Sequence, residues 1–298
     1  AAPIIQGTPA YHAADTSAIN ARAYAYPTSD GHPVLNSTSY ILKPSNASSL
    51  SFAPPAFLVA LTPPAHNAIA VFADSLGAYN ENVIGGVAQY PVTYAGMGPY
   101  QRATLDPSTG LNSLAMIISP CHSELTISFI NASARRRSLL DFCNIGHVAY
   151  GTNEIGFAGT PAITGPALTA RVGNAYDLVK GHSKIQKVVG STIPPFTTST
   201  DVWATTANQS GIVNGWDTGQ HRFQLNSYVT SLAGGKINAA ADLAAIAQDS
   251  VDPRLWAVNG TAKWMTDEGK HWGPNASGNA GGASKAVAVA IRAAWNSL

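Results

Sequence analysis

From about residue 111 onward, short apolar runs of strand length alternate with segments whose apolar residues recur at helical spacing. Few architectures accommodate that alternation, because each strand–helix–strand unit favours a parallel sheet with helices packed on it. Residues 114–119 (LAMIIS) have the length and composition of a buried strand. Residues 123–143 read as a helix, or as a strand followed by a helix. Residues 145–150 (IGHVAY) are a second strand, and 166–180 carry apolar side chains at 168, 172, 175, 176 and 179 behind an initial proline, a helical spacing with its start marked. Residues 188–194 read as a short third strand, 221–232 and the alanine-rich 238–248 as helices, 254–258 and 263–266 as extended, and 283–297 as a terminal helix preceded by Gly281-Gly282. The expected fold is α/β, either a (β/α)8-like barrel or an irregular α/β core with parallel strands; the alternative is an α+β single domain.

The first part of the chain resists that description. A short helix at 15–25 with Asp15 as its N-cap, and β-like stretches at 38–42, 56–61 and 67–72, are punctuated by Pro54, Pro55, Pro63 and Pro64. No Pro/Ser-rich linker of convincing length divides the 298 residues. One domain is therefore expected over 1–298, with 1–110 irregular and β-containing and 111–298 alternating.

Charge narrows the partners. Only 11% of residues are charged and the formal net charge is +1, so no electrostatic footprint for nucleic acid or an anionic membrane is present. The one basic run, Arg135-Arg136-Arg137, reads as a solvated surface. No run of apolar residues is long enough to span a bilayer, and the opening AAPIIQG resembles a terminus left by removal of a signal segment. Six N-x-S/T triplets, at Asn36, Asn46, Asn131, Asn208, Asn259 and Asn275, favour a secreted, glycosylated protein, and a monomer is expected. In that setting Cys121 and Cys143 are expected to form a disulfide, which would contribute on the order of 3 kcal/mol. A zinc site made with His122 and His147 is the competing reading, although the spacing matches no regular finger or ribbon. Neither a phosphate loop nor a dinucleotide fingerprint nor an EF-hand loop occurs, so no cofactor and no metal are expected.

One carboxylate stands out. Glu154, one of four glutamates, closes the strand-like run in HVAYGTNEIGFAG, where an ionised group is paired, capping, or free for a substrate. A second acidic position, Glu268, stands in Trp264-Met265-Thr266-Asp267-Glu268-Gly269-Lys270-His271-Trp272, again after a short apolar segment. All six tryptophans lie in the last third of the chain, and indole faces are good platforms for sugar rings. The Asn153-Glu154 pair and Thr266-Asp267-Glu268-Gly269 together resemble the acid/base and nucleophile signatures of retaining glycoside hydrolases with a (β/α)8 barrel. That resemblance implies Glu154 as general acid/base, Glu268 as nucleophile and Asn153 as the group holding the sugar 2-hydroxyl. A carbohydrate substrate would rest on Trp216, Trp264 and Trp272, with Asp217 and His271 beside it. Asp217 and His221, at i and i+4, could also form an acid/base pair, although Asp217 equally caps a helix start. The alternatives are a non-catalytic carbohydrate-binding or cell-wall protein, and a secreted serine esterase with Ser284 of Gly282-Ala283-Ser284-Lys285-Ala286 in a nucleophile turn; Ser284 also reads as an N-cap.

Overall fold

The computed structural model describes residues 67–77, 99–104, 115–120, 124–155, 163–212, 215–266, 268–273 and 282–298. The elements expected at 15–25, 38–42 and 56–61 lie outside the described residues, as do Cys121, His122 and with them the expected disulfide.

In chain order the elements are β1 (Ala68–Ala73), α1 (Pro99–Ala103), β2 (Ala115–Pro120), α2 (Thr126–Ala132), α3 (Ala134–Arg137), β3 (Ile145–Ala149), α4 (Thr152–Ile155) and α5 (Gly165–Lys180). They continue with β4 (Lys187–Ser191), β5 (Thr197–Ser199), β6 (Gln209–Gly211), α6 (His221–Thr230), β7 (Ala239–Ala241), α7 (Leu243–Ala247) and α8 (Gly282–Asn296). Five strands form one sheet in the order β2-β1-β3-β4-β7, every neighbouring pair parallel, and β5 and β6 form a separate antiparallel hairpin. The parallel α/β core expected from the alternating pattern is present. The barrel is not, because among the described residues β2 and β7 are the two edges of an open sheet. Strands regularly interleaved with helices likewise set aside the α+β alternative.

Both alternating sets of β1 side chains are buried, Ile69 and Val71 as well as Ala70 and Phe72, so the sheet is covered on both faces, as a parallel sheet requires. Helices α2, α5 and α6 pack together, and α1 and α7 pack on α8. Helix α5 begins where Thr164 accepts the Ala167 N–H (3.4 Å) and buries Leu168, Val172, Ala175, Tyr176 and Val179 along one stripe. Helix α8 buries Val287, Ile291 and Trp295 at four-residue intervals, and the Trp295 indole N–H donates to His147 Nδ1 on β3 (2.9 Å).

Two local departures from the sequence reading have physical causes. The run 238–248 is not one helix: Ala239–Ala241 is the fifth strand of the sheet, paired to Val189–Ser191. Asn238 fixes the register by donating its backbone N–H to Val188 O (2.7 Å) and accepting the Val188 N–H on Oδ1 (2.9 Å). Tertiary pairing overrides the helical preference of alanine, and only Leu243–Ala247, capped by Asp242, is helical. Residues 254–258 and 263–266 are turns carrying single bridges, Gln248 to Trp256 and Thr266 to Trp272, rather than strands.

Candidate active site

The chain runs from β1 to β2 on one side and lays β3 on the other side of β1. That reversal makes a topological switch point, and the crevice beyond the carboxyl ends of β1 and β3 is where such sheets bind ligands. Two turns meet there. After β1 comes Asp74-Ser75-Leu76-Gly77, and after β3 comes Tyr150-Gly151-Thr152-Asn153-Glu154. Asp74 N–H donates to Ala149 O (3.3 Å), joining the turns at their roots. Ser75–Gly77 is a single tight turn in which Gly77 N–H donates to Asp74 O (3.0 Å) and Leu76 N–H to Asp74 Oδ1 (3.0 Å). The turn folds back so closely that a Cβ on Gly77 would lie 2.2 Å from that of Ala73.

The third contributor is the loop 264–273. Thr266 is its clasp, donating its hydroxyl to His271 O (2.7 Å) and accepting the Gly269 N–H (2.9 Å), and Gly273 N–H returns to Met265 O (2.8 Å). Gly269 has φ +89 and sits under the β5–β6 hairpin, where an added Cβ would be 1.9 Å from Thr197 O, a position only glycine fills. Its carbonyl accepts from Thr197 N (3.0 Å) and Trp256 Nε1 (2.8 Å). Trp272 stands edge-on to Trp256 and donates its indole N–H to Leu76 O (3.0 Å), tying the loop to the Ser75 turn.

These constraints bring three side chains into line. Ser75 Oγ lies 2.8 Å from His271 Nε2, and His271 Nδ1 lies 2.5 Å from Glu268 Oε1, which also accepts the His271 backbone N–H (3.1 Å). A carboxylate can only accept, so the Glu268 contact places the proton on Nδ1 and leaves Nε2 free to accept from the serine hydroxyl. The His271 hydrogen bond holds the Glu268 carboxyl below its ordinary pKa, hence ionised. Asn153 is joined to the same loop through Lys270. Its Nδ2 donates to Glu124 O (3.0 Å) and its Oδ1 accepts from Lys270 Nζ (3.3 Å), which leaves the second amide N–H uncommitted to either. Asp74, one residue before Ser75, is fully buried. Burial pushes its pKa up to about 7, against the Leu76 N–H, with the charge of Glu154 adding to the rise and those of Lys270 and His271 opposing it.

The residues singled out from the sequence fall into different roles. Glu268 and His271 stand in line with Ser75, and Asn153 is joined to their loop through Lys270. Glu154 is buried and accepts the Thr126 N–H at the start of α2, whose own N-cap residue Leu125 gives no side-chain cap; burial raises its pKa against that hydrogen bond. The hydrogen bonds of Glu268 go to His271. Trp216 and Trp272 are buried, at 3% and 4% exposure, and offer no face to a sugar ring, while Trp264 is half-buried against the core. Asp217 pairs with Arg254 (3.2 Å) rather than with His221. Both ring nitrogens of His147 are occupied, by Trp295 and by Ser191 Oγ (2.7 Å). The surroundings of the Ser284 side chain lie outside the described residues. Ser75 was not singled out at all, although AIAVFADSLG offers the signal: a buried strand that runs straight into a serine-bearing turn closed by glycine.

No family model matches the chain, and no curated protein does. Solved structures do resemble it. A GDSL-like lipase from Parabacteroides merdae has a TM-score of 0.48 at 11% identity, covering 78% of this chain and 96% of its own. Phospholipase A1 from Streptomyces albidoflavus has 0.42 at 16% identity, covering 77% and 100%. An acetyl-xylooligosaccharide esterase from Geobacillus stearmophilus has 0.43 at 11%, covering 76% and 92%. The open parallel sheet takes the place of the expected (β/α)8 barrel, and the expected resemblance to barrel glycoside hydrolases falls with it.

Proposed function

We propose that this protein is a serine hydrolase that cleaves carboxylic esters, with Ser75 as nucleophile, His271 as general base and acid, and Glu268 as the group that orients His271. The observation that carries this reading is the unbroken line of contacts from Ser75 Oγ through both ring nitrogens of His271 to Glu268. A serine hydroxyl becomes an effective nucleophile when an adjacent base takes its proton and a third group fixes that base's tautomer.

Each step follows from that line. Ser75 Oγ attacks the ester carbonyl carbon while its proton passes to His271 Nε2, and the imidazolium is stabilised by ionised Glu268. The tetrahedral intermediate collapses, the C–O bond to the alcohol breaks, and the departing oxygen takes the proton from Nε2. Water then attacks the acyl-serine with His271 as base, the carboxylic acid leaves, and Ser75 regains its proton. The developing oxyanion needs preorganised donors; the uncommitted N–H of Asn153, on the neighbouring strand-end turn, is the side chain suited to supply one. Ser75 is buried at 5% exposure and the His271 side chain is 17% exposed, and the 2.8 Å contact between them keeps the proton path short. The six sequons support a secreted setting for this activity.

The test is covalent. A fluorophosphonate should modify Ser75, located by peptide mass, and hydrolysis of p-nitrophenyl acetate should fall at least ~10⁴-fold in Ser75→Ala. An unlabelled Ser75 together with undiminished hydrolysis in the variant would overturn the assignment.

A further inference from the structure

We infer that Lys270 is a positioning residue for the ester hydrolysis proposed above: its ammonium fixes the amide of Asn153 so that the free N–H of Nδ2 faces the oxyanion.

Lys270 is buried, at 8% exposure. An ammonium is costly to remove from water and is held inside only where partners compensate it. It follows Glu268 by two residues and precedes His271, so its backbone belongs to the loop that carries the acid and the base. Its head leaves that loop and crosses to the turn after β3, reaching Asn153 Oδ1 at 3.3 Å. Its charge lies close enough to Asp74 and Glu268 to favour the ionised form of each, so the ammonium stands among the carboxylates of the site.

The contact matters because of what an amide can do. A carboxamide presents an acceptor on one side and two donors on the other, and rotation by half a turn exchanges them. Lysine can only donate and the Glu124 backbone carbonyl can only accept. With Lys270 on one side and Glu124 O (3.0 Å) on the other, one orientation of Asn153 satisfies both. In the reversed orientation the carbonyl oxygen of Asn153 would confront Glu124 O, and an oxygen rather than an N–H would face the developing negative charge. Lys270 thus acts on the reaction through Asn153, and the same bridge locks the loop bearing His271 to the strand end bearing the donor.

The experiment uses the full chain. In Lys270→Met, kcat for p-nitrophenyl acetate should fall on the order of 10- to 100-fold, the scale of one weakened oxyanion donor. KM should stay within about twofold, and affinity for an aryl trifluoromethyl ketone, which forms a tetrahedral adduct on the serine, should fall by the same factor as kcat. Lys270→Gln, which keeps an N–H donor without charge, should recover most of the loss. Unchanged kcat in Lys270→Met overturns the inference, as does a Gln variant no better than Met, or a loss of kcat without loss of ketone affinity. Fluorophosphonate labelling of Ser75 in the unmutated protein stands apart from all of these, so failure of the Lys270 role and failure of the serine hydrolase reading give different results.

Discussion

Glu268 touches His271 through both its ring and its backbone, so replacing it with glutamine alters one thing above all. A glutamine amide can donate to Nδ1 and favour the tautomer whose Nε2 carries the proton, which cannot accept from Ser75. We expect Glu268→Gln to lower kcat by roughly 10³- to 10⁴-fold with KM little changed, measured on p-nitrophenyl acetate; a loss under about tenfold would remove Glu268 from the mechanism. Gly269→Ala should be nearly as damaging for a steric reason, since its Cβ would meet Thr197 O at 1.9 Å in a backbone region hostile to L side chains. Asp74 behaves in the opposite sense. Its folded pKa of about 7 lies above its ordinary 3.8, so folding favours the protonated form. The stability it lends is complete below about pH 3.8 and drains away as pH rises through 7, a difference of roughly 4 kcal/mol. Asp74→Asn keeps the acceptor for Leu76 N–H and never ionises. Urea midpoints should therefore show the variant more stable than the parent at pH 8, with the gap closing toward pH 4; a gap independent of pH would contradict the assignment.

Among elements, α8 is held to the sheet by a polar relay as well as by its apolar stripe. Trp295 on α8 donates to His147 on β3, His147 Nε2 meets Ser191 at the end of β4, and Ser191 Oγ lies 2.9 Å from the Tyr100 hydroxyl on α1. Burial drives the His147 pKa down to about 3 from 6.5, so the ring is neutral. The sign is that of a depressed pKa: the stability is present above about pH 6.5 and is lost as pH falls toward 3. Acid titration by circular dichroism should show this loss, and His147→Gln should flatten it. Trp295→Phe, which strands a buried acceptor, should cost about 1–3 kcal/mol at neutral pH. These elements also mark what local pattern can disclose. Helices α5 and α8 and strand β3 were legible because their apolar spacing is regular. The β7 run Ala239–Ala241 was not, because three alanines say nothing of a strand until Asn238 and β4 supply the pairing.

At the scale of the molecule, the site is assembled from turns after β1 and β3 and a loop near the end of the chain, with Ser75 and His271 196 positions apart. Asn153, Glu268 and His271 could be picked out as reactive types in exposed-looking turns. Their chemistry could not, because a glutamate and a histidine three residues apart acquire meaning only when a serine is brought to them. The scarcity of glutamate points to Glu154, whose observed hydrogen bond is to the start of α2, whereas the run 67–72 reads as a strand but nothing in the turn after it marks Ser75 until His271 is brought to it. Because the loop is tied to the core by Trp272, Trp256 and Thr197, it should not loosen on its own. In urea, loss of esterase activity and the shift of tryptophan fluorescence should coincide; activity lost well before the spectral change would show the loop opening separately. The separation also has a meaning in time. A chain growing from its amino end completes the five sheet strands of the described residues by Ala241 while the base that would arm its serine has yet to be made. On the mechanism proposed above, synthesis and reactivity are thereby staggered: a chain that stops short of His271 carries Ser75 without the base that would arm it, and is expected to be chemically silent.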